Sequence, residues 1–265
     1  MDFIIDHDYH VHSQLSIDIA AGEGYDNDAI LDYADKSSLK KVCLTNHFWD
    51  ETVPCDFEWY QQQGYTHLSK ALPLPKRDDV EFFFGCEADV DKNLNIGITK
   101  QTAEKFDFII VSTTHMHMQG FTTDLAAYDI NGRREEYLAR IKKVLSADLP
   151  LKKIGLAHLT SVLICPDVED GHIKVLSGIS DSEYKDVFAK VAALGAGIEI
   201  NVKAFRCSDG LVDELLRPYK IAAECGCRFY LGSDSHFPND LATAKDGFKR
   251  ILNMLAFEEE QKFRF

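Results

Sequence analysis

The sequence predicts an α/β fold on a parallel sheet, either closed into a barrel or left open. Short apolar runs rich in β-branched and aromatic residues recur at 3–10, 40–46, 80–87, 106–114, 152–158, 197–202 and 227–233. Helical periodicity fills the gaps, most clearly at 26–36, 133–147, 181–194, 211–225 and 239–256. Strands that alternate with helices pair in parallel, because each crossover helix returns the chain to the same end of the sheet. The 265-residue length and 45% hydrophobic content suffice for one large core, and single α/β barrels commonly have about this size. Residues 1–265 are therefore expected to form a single domain.

The first run, from Phe3, ends in His10-Val11-His12. Side chains two apart in a strand point the same way, so both imidazoles share a face. Asp26 supplies a cap or first-turn acid for the helix over 26–36, as Asp181 and Asp240 do for later helices. The second run ends at Asn46-His47. The irregular stretch 48–78, with Trp49, Trp59 and several prolines, is expected to be an excursion or lid over the barrel mouth. The run at 80–87 ends in Glu87, that at 106–114 leads into His115-Met116-His117, and that at 152–158 ends in His158. Arg133 and Arg134 open the next helical pattern and are expected in an exposed first turn. Gly195 and Gly226 mark helix stops, and the last strand leads into Asp234-Ser235-His236.

One histidine after a strand is usually a satisfied core or surface residue. Repetition after strand upon strand points instead to a common site, because the C-terminal strand ends of such barrels converge on one face. His10, His12, Asp18, His47, Glu87, His115, His158, Asp234 and His236 would all sit there. Neutral imidazoles with a few carboxylates suit Zn, Mn or Fe, whereas Mg and Ca prefer oxygen shells. Two to three divalent transition-metal ions fit this many ligands if a carboxylate bridges.

The formal charge of -14 excludes nonspecific nucleic-acid binding, which needs clustered Lys and Arg. The seven cysteines lack a framework spacing and are expected as reduced thiols, with Cys225-x-Cys227 at a helix end. No apolar run is long enough to span a membrane and no targeting signal opens the chain, so a cytoplasmic protein is expected.

Asp8-Tyr9-His10-Val11-His12-Ser13 with Asp18, Leu44-Thr45-Asn46-His47, Gly85-Cys86-Glu87-Ala88-Asp89, Thr113-Thr114-His115, Gly155-Leu156-Ala157-His158 and Gly232-Ser233-Asp234-Ser235-His236 resemble, in order, the motifs of the PHP (polymerase and histidinol phosphatase) superfamily. The resemblance implies a distorted (β/α)7 TIM-like barrel with a trinuclear metal centre at the C-terminal strand ends, and phosphoester hydrolysis in which a metal-bridging hydroxide attacks phosphorus. It places His10, His12, Glu87 and Asp234 on one ion, with Glu87 bridging to a second held by His115 and His158. Asp18, His47 and His236 would hold the third. His117 is a spare that contacts substrate, protonates a leaving group or supports a ligand, while His7, His67 and His172 match no motif and are expected as structural or surface residues.

The histidinol-phosphate phosphatase branch is the nearest likeness, which implies a small phosphorylated metabolite as substrate. The pattern Ile198 to Arg206 then makes Arg206 a phosphate-binding residue, with Lys203 a second cation for the substrate. Three departures bear on the substrate. Asn46 stands where the branch has Asp, and Thr160 and Leu163 replace an Asp and a phosphate-gripping Arg. Phosphatase chemistry survives these changes, but the identity of the alcohol does not. A phosphodiesterase, an amidohydrolase-like hydrolase and a non-catalytic metal-binding barrel are the alternatives.

Overall fold

The structure, a computed structural model, describes residues 1–19, 26–205, 207–208 and 210–265. In chain order the elements are β1 (His7–Val11), α1 (Asn27–Ser37), β2 (Lys41–Leu44), β3 (His47–Phe48), α2 (Glu58–Gln61), α3 (Tyr65–Leu68), β4 (Glu81–Asp89), α4 (Lys100–Ala103), β5 (Phe108–Ser112), α5 (Ile130–Ser146), β6 (Ile154–Leu156), α6 (Gly171–Ser177), α7 (Asp181–Leu194), β7 (Gly197–Asn201), α8 (Val212–Glu224), β8 (Arg228–Gly232) and α9 (Pro238–Leu255). The strands pair in parallel in the order β1-β2-β4-β5-β6-β7-β8, with β3 beside the far end of β4. Alternation of strands and helices has thus produced a nearly closed seven-stranded barrel, a distorted TIM-like form.

Local chemistry sets the helix ends. Asp26 caps α1 by accepting the Ala29 N–H. A capping box between Ser180 and Glu183 starts α7, and Gly195 ends it with a φ of 76° that a Cβ would disfavour.

Among the described residues, the backbone links at the seam between β1 and β8 are a bridge from Val11 to Ser235 and the bond from Asp234 N–H to His10 O, 2.8 Å. Side chains complete it. His7 accepts the Leu231 N–H on Nε2 at 3.1 Å, and its Nδ1 lies 2.8 Å from Asp6. His7, one of the histidines without a motif, is therefore a structural residue of the seam.

Inside the barrel Tyr9, Cys43, Phe108, Ile110, Ala157, Tyr230 and Phe263 form a cluster drawn from four strands, the residue after β6 and the C-terminal tail. Phe263 N–H bonds to Phe229 O at 2.7 Å, and Phe265 stacks on Phe108 with ring centroids 4.6 Å apart. This aromatic tail fills the end of the barrel where the strands begin, so the opposite end is the open one. Among the described residues the cysteines form no disulfide, and no helix is long and apolar enough to cross a membrane.

One expectation fails at α5. Arg133 is buried, and its Nη1 donates to Met116 O at 2.8 Å and Ile164 O at 2.7 Å. Its guanidinium therefore ties together the loops that follow β5 and β6, carbonyls that would otherwise lack partners. Arg134 stays nearer the surface, bonded to Gly178 O at 3.1 Å.

Candidate metal centre

The site begins with an irregularity in β1. Asp8 pairs with Val42 and Val11 with Leu44, so three residue steps on β1 match two on β2. This is a β-bulge. It lets Tyr9 point into the barrel cluster while His10 and His12 both reach the open end and Val11 joins the outer core. Asp8 holds the bulge: its Oδ1 accepts from His10 N–H at 3.1 Å and Ser233 N–H at 3.0 Å, and its Oδ2 from Tyr33 O–H at 2.8 Å. Burial pushes the Asp8 carboxyl up to about 6 even against these bonds.

The ends of the other strands deliver the remaining candidates. Two of them, His158 and Asp234, have φ of 29° and 51°, a left-handed backbone that is strained for residues with a Cβ. Ligand atoms gather in three groups, each within 4.8 Å: His12, Asp18, His47 and His236; His10, His12 and Asp234; Glu87, His115 and His158. Glu87, fully buried, stands among them. Its Oε1 is 3.1 Å from His158 Nε2 and 4.0 Å from His115 Nε2. Its Oε2 is 3.4 Å from Nε2 of both His10 and His12, and 3.1 Å from His47 Nδ1. His12 belongs to two groups, where the sequence placed it in one.

Whether cations fit here is answered by the buried atoms left over. His47 Nδ1 and Glu87 Oε2 have no hydrogen-bond partner. His10 Nε2 and His12 Nε2 face each other at 3.2 Å, while their other nitrogens are engaged by Glu199 at 2.7 Å and Ser16 at 3.2 Å. Lone pairs converging in this way, with buried acceptors unpaired, match a cation-binding cluster. His115 and His158 are held likewise, by Asp89 at 3.1 Å and by Thr114 Oγ1 at 2.6 Å, so that each presents Nε2 inward.

Asp89, Thr114 and Glu199 were not singled out from the sequence. Two signals for them were present. Asp89 follows Glu87 by two residues on β4 and so shares its face, and Glu199 interrupts the apolar Ile198-x-Ile200 pattern of a fully buried strand. Asn46, in place of the expected Asp, accepts the Ser13 N–H at 2.7 Å and pins the end of β1.

The electrostatics are those of a compact acid–imidazole cluster. Burial opposes charge on His10, but Glu199, Glu87 and Asp234 outweigh it and hold its pKa well above the ordinary value. For His115 burial is likewise outweighed, by Asp89 and Glu87, and the pKa rises to about 9. His12 goes the other way, to about 4, through burial and then the neighbouring His236. Glu87 and Asp234 lie well below the usual carboxylate range: burial resists this, but His10 and, for Asp234, Lys203 prevail.

A cleft of about 510 Å³ opens over the cluster. Asp18, His47, His115, Asp234 and His236 line it, together with Lys203 and the apolar Trp59, Met118 and Leu163. Lys203 Nζ lies 3.1 Å from His236 Nδ1 and 3.2 Å from Asp240 Oδ2. His117 stands at the mouth, its ring 5.4 Å from that of His115, with a pKa brought down to about 4 by its partial burial and by His115. Arg206 lies outside the described residues. His67 bonds to Leu15 O at 2.7 Å and His172 is buried in α6; neither belongs to the ligand groups.

The PHP domain matches residues 8–203 of the chain. A search of curated proteins finds no match. Among solved structures, histidinol phosphate phosphatase from Lactococcus lactis subsp. lactis, determined with zinc, L-histidinol and phosphate, superposes with a TM-score of 0.57 at 18% identity, over 98% of this chain and 99% of that one. A probable 2-pyrone-4,6-dicarboxylic acid hydrolase from Acinetobacter baumannii, with citric acid bound, gives 0.50 at 12% identity, over 98% and 97%. At these identities the likeness is one of fold.

Proposed function

The chain belongs to the PHP domain family, and from that membership we propose that it is a metal-dependent hydrolase whose substrates are phosphomonoesters. The observation that carries the reading is Glu87, whose two oxygens face different imidazole groups in a buried cluster with unpaired acceptor atoms. That arrangement suits a carboxylate shared between cations. His10, His12, Asp18, His47, Glu87, His115, His158, Asp234 and His236 are the proposed ligands of two to three Zn, Mn or Fe ions. Bound ions supply Lewis acidity and a water-derived nucleophile at neutral pH.

The protein's own groups do the rest. Glu199, Asp89, Thr114 and Ser16 orient the imidazoles so that nothing must reorganise when an anion arrives. Lys203 adds a cation beside the ligand floor and favours a dianionic phosphoryl group over a neutral carbonyl. Arg206, four residues past Val202, is the proposed second grip on the phosphate oxygens, as a planar fork suited to two of them. His117, which lines the cleft, is the proposed contact for the departing alcohol. The structural neighbour that holds L-histidinol and phosphate supports a small phosphorylated substrate.

The test is to present metal-loaded protein with an aryl phosphate, an aryl phosphodiester and an aryl ester side by side. The monoester should show the highest kcat/KM. A faster diester moves the reading to phosphodiesterase, and a faster carboxylic ester to an amidohydrolase-like enzyme.

A further inference from the structure

The cleft has two unlike sides. Its floor is ligand groups, while an apolar wall beside them comes from three separate segments: Phe57 and Trp59 from 48–78, Met118 after β5, and Val162 and Leu163 after β6. The wall is backed rather than loose. Trp59 meets Tyr60, a buried residue that also lines the cleft, edge-on with centroids 4.6 Å apart, Phe57 stacks on Phe121 at 4.9 Å, and Trp49 and Phe121 are buried with them. Trp59 also lies edge-on to the candidate ligand His47, centroids 5.1 Å apart, so the apolar wall begins where the ligand floor ends.

The charges available to a substrate are equally one-sided. Among the described residues that line the cleft, Asp18 and Asp234 are the only carboxylates. Both are engaged by imidazoles, Asp18 with His236 at 2.7 Å and Asp234 with His12 at 3.4 Å. No carboxylate there is left over for an ammonium group, and Lys203 would repel one. An amine brought from water into such a cleft loses hydration without a partner, whereas an aromatic body gains from leaving water against the wall.

We propose that the alcohol released at this site is uncharged and carries an aromatic or bulky apolar body, selected by Trp59 and Leu163. The inference rests on the phosphomonoesterase reading and names the substrate class within it. It sets this chain apart from a phosphatase for an amino alcohol.

Two esters that differ only by an amine decide the matter: 3-phenylpropyl phosphate and 2-amino-3-phenylpropyl phosphate, hydrolysed by the metal-loaded full-length protein. The amine makes its alcohol the better leaving group, so a preference for the neutral ester reflects recognition and not intrinsic reactivity. The neutral ester should be favoured in kcat/KM by about tenfold or more. Trp59→Ala should raise its KM by about tenfold with kcat changed far less, while inhibition by inorganic phosphate stays the same. Leu163→Glu should shift the preference toward the amine. Calorimetry with 3-phenylpropylphosphonate gives a reading independent of turnover and should show binding weakened in Trp59→Ala. Equal or better turnover of the amino ester by the unaltered protein, or an unchanged preference in Trp59→Ala, overturns the inference and leaves the phosphomonoesterase reading standing. If neither ester is hydrolysed and neither phosphate nor the phosphonate binds, both fall together.

Discussion

Glu199 Oε1 stands 2.7 Å from His10 Nδ1 while its Oε2 accepts the His158 backbone N–H at 2.6 Å. One buried carboxylate on β7 thus fixes two candidate ligands, from β1 and from the end of β6. Gly232 makes room for it, since a Cβ there would press on Glu199 and lie 2.7 Å from the Cβ of His10. Glu199→Gln keeps the shape but removes the charge that raises His10's basicity. Metal affinity, read by chelator competition, should fall by about 10- to 100-fold with the fold intact by circular dichroism. Unchanged affinity would mean that Glu199 is only a packing residue.

Metal binding should release protons. The pKa of His10 is held well above its ordinary value and that of His115 at about 9, so both carry a proton at pH 7 when no ion is bound. Ligating imidazoles must be neutral. Each therefore gives up a proton on binding, whereas His12, at about 4, is already neutral. Apparent affinity should rise with pH from neutrality, the His115 share of the rise ending once pH passes about 9. Calorimetry in buffers of different ionisation enthalpy counts the protons. Finding none released at pH 7 would contradict the assigned cluster.

Arg133 should matter far more than its neighbour. Its guanidinium satisfies carbonyls in two loops that line the cleft, so Arg133→Ala leaves Met116 O and Ile164 O buried and unpaired. The expected loss is about 3 kcal/mol of unfolding free energy, against about 0.5 kcal/mol or less for Arg134→Ala. Urea denaturation of the two variants makes the comparison, and equal effects would refute the bridging role.

Much of this was legible in the sequence because two signals reinforced each other. Short apolar runs rich in β-branched and aromatic residues placed the strands, and the polar residue that ended each run placed the open end of the barrel. The β1 bulge was not legible, since Tyr9 and His10 read as ordinary alternating neighbours and only pairing with β2 reveals the extra residue. Arg133 was misread for a related reason: a charge at the start of a helical pattern usually faces solvent, and the carbonyls that bury it come from residues 17 and 31 positions away. Asp89 and Glu199 escaped because their partners, His115 and His10, lie on other strands. Arg206 rests on its sequence context alone.

The central claim is that Glu87 is shared between catalytic cations, and the joint measurement of metal content and aryl phosphate hydrolysis in Glu87→Gln tests it most directly. The unaltered protein should carry two to three transition-metal ions per chain. The variant, unable to supply two anionic oxygens, should lose ions and activity together, with kcat/KM down by at least about two decades. A Glu87→Gln protein that hydrolyses the ester at full efficiency, or a metal-free parent that does so, would contradict the claim.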